Sequence, residues 1–267
     1  MHPILIDVFG FPIYSYGAML LLSFALSIAL AVHLCKRYGN PSGPVIELSL
    51  WAILMGILGS RLGYVLQNLP YYMDHPVSII NLREGGMTII TGVILAAVAL
   101  VWYFRKRDVP VMNVLDVLSG PTLVGMGVGR LGCLLHGCCY GRLCEASWGI
   151  TYPVGSLGAG VPGGPRYPVP LMEMGLDFLL LALVLWYLPR SRFAGQTFWL
   201  TFGGYAIIRF AVEFFREGGL LGPFSLAQWT SVLFLLVSVL GFAGIFGKQP
   251  IDRNMRLEDT SSPKRAP

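Results

Sequence analysis

What this sequence has little of is charge. Of its 267 residues only 12% are charged while 55% are hydrophobic, against about 25% charged in an average soluble domain. A water-soluble enzyme or binding module of this length needs a polar surface that the chain cannot supply. The apolar excess comes in blocks long enough to cross a bilayer, which takes about 20 residues of helix. The formal charge of +5 does not point to nucleic acid, because basic residues in a membrane chain mostly report topology. A cleavable signal is also lacking. The first apolar block, Ser15 to Leu34, has no basic flank before it and is itself of spanning length. No internal repeat is visible, so a transporter built from two related halves gains no support.

What is present is a series of seven apolar blocks, at residues 15–34, 45–66, 87–104, 115–136, 171–188, 198–215 and 225–246. They predict an all-α polytopic membrane bundle of about seven transmembrane helices, one domain over residues 1–247. The stretch 137–170 is the one long connection. It is rich in Gly and Pro (VGSLGAGVPGGP) and is expected to be an irregular loop, since such backbone cannot face lipid. Residues 248–267 are polar and are expected to form a disordered cytoplasmic tail. One side of the predicted bundle collects Lys36, Arg37, Arg105, Lys106, Arg107, Arg190, Arg192, Lys248, Arg253, Arg256, Lys264 and Arg265. The other side holds only Arg83, Arg142, Arg166 and Arg216. Positive charge is retained in the cytoplasm, so the N-terminus is expected outside and the C-terminus inside.

Three arginines remain within predicted spans: Arg61, Arg130 and Arg209. An arginine at the bilayer centre costs roughly 2.5–3.5 kcal/mol on insertion scales, so each needs a reason. Arg61 can snorkel to the headgroups along its stem. Arg209 has Glu213 four residues on, with Arg216 three beyond that, on one helix face. Arg130 has no acid near it on its own span; Asp116 is about four turns away. Its partner is either an acid from another helix or an anionic ligand, and a planar guanidinium suits a phosphate. The surrounding segments are glycine-rich: GILGSRLGYV (56–65), REGGMTIITG (83–92) and GMGVGRLGCLLHGCCYG (125–141). Such glycines either let helices approach closely or leave backbone free to line a cavity for a lipid head.

Four of the five cysteines, Cys133, Cys138, Cys139 and Cys144, crowd together with His136 at the outer end of the fourth span. Three arrangements fit: a disulfide from Cys133 or Cys138 to Cys144 stapling the loop, buried free thiols, or a metal held by His136 and thiolates. The C-x4-C-C-x4-C spacing is not a usual zinc pattern, and no C-x-x-C pair is present. The cluster is therefore expected to be structural, with no metal and no cofactor.

Along nearly the whole membrane region the sequence resembles the bacterial prolipoprotein diacylglyceryl transferases. The resemblance rests on an ordered set: YSYG (14–17), GSRLGYV (59–65), EGGMT (84–88), GRLG (129–132) with Gly141, YPVPLME (167–173), YAIIRFAVEFFRE (205–217) and LAQWTS (226–231). It implies a multi-pass enzyme of the bacterial inner membrane. Such an enzyme passes diacylglyceryl from phosphatidylglycerol to the thiol of a lipobox cysteine in a prolipoprotein signal peptide, releasing glycerol-1-phosphate. Carried residue by residue, the resemblance implies Arg130, Arg209, Arg216, Gly86 and Arg61 for phosphatidylglycerol, and Arg209, Tyr16 and Glu213 for catalysis. Ile90 stands where the family often has a histidine, and Cys133, His136 and Cys138 where its signature continues with Asn and Glu. His136 is the candidate for the missing base. The alternative is a related membrane protein that binds an anionic lipid and has changed its chemistry through the cysteines. Reporter fusions at the C-terminal tail test the topology: a reporter active only in the cytoplasm is expected to be on, and one active only after export to be off.

Overall fold

The structure, a computed structural model, describes residues 4–8, 11–37, 43–81, 86–106, 111–152, 164–217, 219–245 and 247. It is helical, as the apolar blocks predict. Among the described residues the long helices are α1 (Ser15–Arg37), α2 (Gly43–Gln67), α4 (Ile89–Lys106), α5 (Val111–His136), α6 (Val169–Tyr187), α7 (Gln196–Glu213) and α8 (Leu226–Phe242). A short α3 (Leu69–Asp74) follows α2. Each predicted span coincides with one long helix. Helices are the expected solution because a segment in lipid must satisfy its backbone groups internally. Segments Ser15–Arg37, Val45–Gln67, Val111–His136 and Val169–Arg190 are long and apolar enough to cross a bilayer, while Ile90–Phe104 and Leu226–Phe242 are apolar but shorter. Large apolar side chains face outward all along them, Leu21 at 72% exposure and Leu179 at 69% among them. In water this surface would not persist. In lipid it is the natural exterior.

The helices fall into two compact units. One comprises the described residues between Cys35 and Val111, and the other the described residues up to Leu34 and from Met112 onward. In the first, α2 and α4 pack along their glycines. A Cβ at Gly63 would meet Thr91 Oγ1 at 2.0 Å, and one at Gly92 would meet Ser60 Oγ at 2.1 Å. Small residues here permit close crossing, as membrane helices use them.

In the second unit α5 is central. Ser27 on α1 donates to the Pro121 carbonyl of α5 at 2.8 Å. Gly127 of α5 sits against the Phe178 ring of α6, and Gly204 of α7 against Leu180 of α6. The buried core comprises Leu123, Val169, Leu180, Val184, Ile208 and Val212. Asp116 of α5 caps a different helix: it accepts from the Gly195 and Phe198 N–H groups, both at 2.7 Å, at the start of α7. Those N–H groups have no partner inside α7, so the buried carboxylate satisfies both helix and charge.

Three small antiparallel hairpins were not legible in the sequence: β1 (Ile4–Val8) with β2 (Phe11–Tyr14), β3 (Ile150–Thr151) with β4 (Pro165–Arg166), and β5 (Leu220–Leu221) with β6 (Phe224–Ser225). The second corrects the expectation of a wholly irregular loop over 137–170. Gly141 N–H donates to the Tyr167 carbonyl at 3.0 Å, Cys144 N–H to Pro165 at 2.9 Å, and Arg142 N–H to Phe215 beyond α7 at 2.8 Å. Backbone pairing therefore ties both ends of this connection to the helix ends. Residues 153–163, most of the Gly/Pro-rich segment, lie outside the described residues, as do Arg83, Arg107 and the tail 248–267.

The α2–α4 crossing gives a direct test. Gly63→Val drives branched carbons into Thr91, and overpacking of this kind costs about 1–3 kcal/mol. The thermal midpoint of the protein in detergent should fall relative to a Gly56→Ala control, where a Cβ meets nothing within 4 Å.

Candidate functional site

The site grows from one buried acid. Glu173, in the first turns of α6, is 1% exposed, and three arginines converge on it. Arg130 of α5 pairs through Nε with Glu173 Oε2. Arg209 Nη1 of α7 lies 3.0 Å from Glu173 Oε1, and Arg216 Nη1, just past α7, lies 3.7 Å from the same oxygen. Glu213 completes the cluster, its Oε2 being 2.9 Å from Arg209 Nη2 and 3.8 Å from Arg216 Nε. The R-x-x-x-E-x-x-R spacing sets this last pair of contacts, since residues three and four apart share a helix face. Ser225 donates to Glu213 Oε1 at 3.1 Å while its hydroxyl also accepts from Gln228 N–H in the capping box that starts α8.

Counting these ion pairs alone, three guanidiniums face two carboxylates, leaving one positive charge in excess. The arginine side chains keep 21%, 24% and 23% exposure for Arg130, Arg209 and Arg216, against 2% for Glu173. The acid is the buried floor and the guanidiniums are the accessible layer. Arg130 engages Glu173 through Nε, so its two terminal nitrogens have no ion-pair partner among the described residues.

Around Arg130 the GRLG turn is open on one side: a Cβ at Gly129 would meet nothing within 4 Å, whereas one at Gly132 would meet Met19 and Tyr16 of α1. Tyr16 is 38% exposed, and its ring lies 5.9 Å from that of His136 at the end of α5. The His136 Nδ1 is buried and has no hydrogen-bond partner among the described residues. Beyond His136 the helix ends in a Schellman motif: Gly137, at φ 78, donates to Leu134, and Cys138 donates to Cys133. This turn gathers Cys133, Cys138 and Cys139, whose sulfurs lie within 4.8 Å of one another. Hydrogen bonds from the Cys133 and Cys138 thiols, then the charges of Arg216 and Arg130, hold the Cys139 thiol well below its ordinary range. Cys144 stands apart, its thiol toward the Ala146 carbonyl at 3.9 Å. All five cysteines are free thiols, so of the three arrangements above the staple through Cys144 is not the one formed. Backbone pairing to Pro165 already holds that residue.

In the other unit Arg61 does not snorkel. It is 6% exposed, and its guanidinium donates to the carbonyls of Ile79, Gly86, Ser78 and Asn81. It fastens the segment that carries Gly86, which adopts φ 76 and lies against the Tyr64 ring, where a Cβ would stand 2.4 Å from Cε1. Only glycine fits there. Ile90 is 67% exposed in the first turn of α4.

Sequence reasoning missed Glu173. An acid from another helix was one of the two partners allowed for Arg130, but which acid was not named. A usable signal existed: Glu173 and Asp177 sit four apart inside the fifth predicted span, and acids within spans pair with intramembrane cations. Asp177 is fully buried, with neither carboxylate oxygen partnered among the described residues. Arg166, counted above as a loop charge, is 3% exposed; it binds Glu217 at 2.8 Å and the Gly141 carbonyl at 3.1 Å, over the Tyr140 ring.

The sequence profile of the prolipoprotein diacylglyceryl transferase family matches residues 3–243. The chain belongs to this family. It is 35% identical over 251 residues to the phosphatidylglycerol–prolipoprotein diacylglyceryl transferase of Bordetella avium, covering 90% of this chain and 93% of that protein. It is 36% identical over 231 residues to the protein of the same name from Geobacter sulfurreducens, covering 83% and 86%. It is 29% identical over 248 residues to that of Clostridium tetani, covering 91% and 97%. The matched region holds every helix and the whole arginine cluster.

Removing the shared acid should be costly. Breaking a buried ion pair by deleting one partner costs about 3–5 kcal/mol. Glu173→Gln should therefore lower the thermal midpoint well below that of Glu213→Gln, whose side chain keeps 10% exposure.

Proposed function

We propose that this chain transfers the diacylglyceryl group of phosphatidylglycerol to the lipobox cysteine of prolipoprotein signal peptides, releasing glycerol-1-phosphate. The observation that carries this reading is the excess positive charge of the Arg130–Arg209–Arg216 cluster on Glu173 and Glu213. A phosphodiester headgroup carries one negative charge, which matches that excess. In the reaction the cysteine sulfur forms a bond to the terminal glyceryl carbon of the lipid, and the bond from that carbon to the phosphate oxygen breaks. The thiol proton passes to a base, for which His136 is the candidate, and glycerol-1-phosphate carries away the electron pair. The leaving phosphate gains charge as the bond breaks, so guanidiniums aimed at it act most strongly in the transition state. Arg130 supplies the planar donor edge left free by Glu173. Arg209 and Arg216 complete the phosphate layer, and Glu213 orients both. Tyr16 borders His136, while Arg61, in its own unit, holds Ser78, Ile79, Asn81 and Gly86 through their carbonyls.

The enzyme's place is the bacterial inner membrane, with the N-terminus outside and the C-terminus in the cytoplasm, supported by the distribution of lysine and arginine between the predicted loops. Its partners are phosphatidylglycerol and signal peptides, with no nucleic acid. The second reading, an anionic-lipid protein whose chemistry runs through the cysteines, is favoured by the gathering of Cys133, Cys138 and Cys139 beside the arginines. The two separate cleanly. In cells depleted of their own transferase, this chain should restore growth and add diacylglyceryl mass to a lipobox cysteine. The same chain with Cys133, Cys138, Cys139 and Cys144 all changed to Ser should keep substantial transfer. Loss of transfer in a stably inserted quadruple variant would make Cys138 or Cys139 a candidate base or nucleophile, and absence of transfer by the parent chain would decide for the second reading.

Arg130 tests the phosphate assignment. Each lost charge-assisted contact costs about 1.5–3 kcal/mol, and more where it strengthens in the transition state. Arg130→Gln should abolish turnover while the protein stays folded, because Glu173 keeps Arg209. Arg130→Lys retains charge without the planar edge and should also be impaired. Arg209→Gln disturbs both Glu173 and Glu213 and is less clean. Complementation by Arg130→Gln equal to the parent would make this arginine purely structural.

A further inference from the structure

The thiols at the end of α5 are placed by two separate backbone devices. The Schellman turn brings Cys138 back over Cys133 by the Cys138 N–H to Cys133 carbonyl bond at 3.0 Å, which is the ordinary side-chain contact of that motif. It accounts for two sulfurs and no more. The third comes from Cys139, the only non-glycine residue at positive φ among the described residues, at φ 59. Residues with a Cβ enter this region at an energetic cost, and an asparagine or glycine would fit the turn better. The twist swings the Cys139 sulfur to the same point, so that all three sulfurs lie within 4.8 Å of one another.

We propose that Cys133, Cys138 and Cys139 form a three-coordinate thiolate site for a soft, thiophilic d10 cation of the Cu(I) type. A metal–sulfur bond of about 2.3 Å puts three sulfurs around a central ion at about 4 Å from one another, inside the observed spread. Thiolates are the donors that select such ions over hard cations. The cluster offers three sulfurs and, among the described residues, no carboxylate or imidazole within the same radius. That set suits an ion content with three ligands and falls short of the four that structural zinc takes. The site is distinct from the ion-pair layer on Glu173, since it uses sulfur alone, and it requires no particular transfer chemistry.

The test uses the full chain in detergent, reduced with a phosphine and titrated with Cu(I) against a chromogenic Cu(I) chelator. One Cu(I) per chain should be withdrawn from the chelator, and X-ray absorption should show sulfur-only coordination. Cys139→Ser should weaken the affinity by more than about 100-fold, beyond the 10–100-fold that an outer-shell change typically costs. Cys144→Ser should leave it unchanged. Failure of the parent chain to compete, nitrogen or oxygen ligands in the absorption spectrum, or full affinity in Cys139→Ser would overturn the assignment. Should that variant not fold, alkylation of the parent chain decides. Cu(I) should protect Cys138 and Cys139 from a maleimide, and equal labelling with and without Cu(I) would overturn the site.

Discussion

The Glu173 carboxylate is the contact on which the catalytic unit depends. It sits 1% exposed at the start of α6 and is shared by arginines of α5, of α7 and of the segment just past α7. A buried charge without partners is costly enough to be neutralised or expelled. The helices therefore cannot shift relative to one another without stranding it. That requirement fixes the register of α5 against α6 and of α6 against α7 more tightly than apolar packing does, because leucine and lipid tails are equally apolar and give little preference between positions. The glycines at 127 and 204 allow the approach, and the acid determines where along the helices it happens.

The acid also sorts the arginines. By lying beneath them it takes one edge of each guanidinium and leaves the rest outward. A cluster made of arginines alone would repel itself, and one with equal acids would have nothing left to hold an anion. Three against two, with Glu213 anchored by Ser225, keeps the cluster assembled yet unsaturated. The proposed stabilisation of a departing phosphate needs donors that are already oriented before the charge develops, and the ion pairs hold these guanidiniums in place.

The helices were legible because length and apolarity are properties of single segments: each predicted span is one helix, with boundaries displaced by only a few residues. The arginines were legible for a related reason, since charge within a span is conspicuous on its own. What escaped depended on neighbours distant in sequence. Glu173 lay in plain view inside YPVPLME, but its service to Arg130 is an inter-helix contact that no spacing encodes. The two-residue strands of the β3–β4 pairing are too short to show alternation. The cysteines were seen as a group, yet which of them meet is decided by a Schellman turn and one positive φ, and Cys144, close in sequence, is held elsewhere by Pro165. Arg61 was conspicuous too, but its partners are carbonyls, which leave no trace in the side-chain pattern.

The capping of α7 by Asp116 has a mechanical side. At its beginning that helix is moored to α5 by two N–H groups on one carboxylate, and at its far end by Arg209 and Glu213 in the ion cluster. A rod gripped at both ends can neither turn about its axis nor slide along it. Arg209, near its far end, is therefore held in one orientation. If the proposed phosphate site is right, a bulky two-tailed lipid is admitted by bending or parting elsewhere, with α7 as the fixed post beside the headgroup.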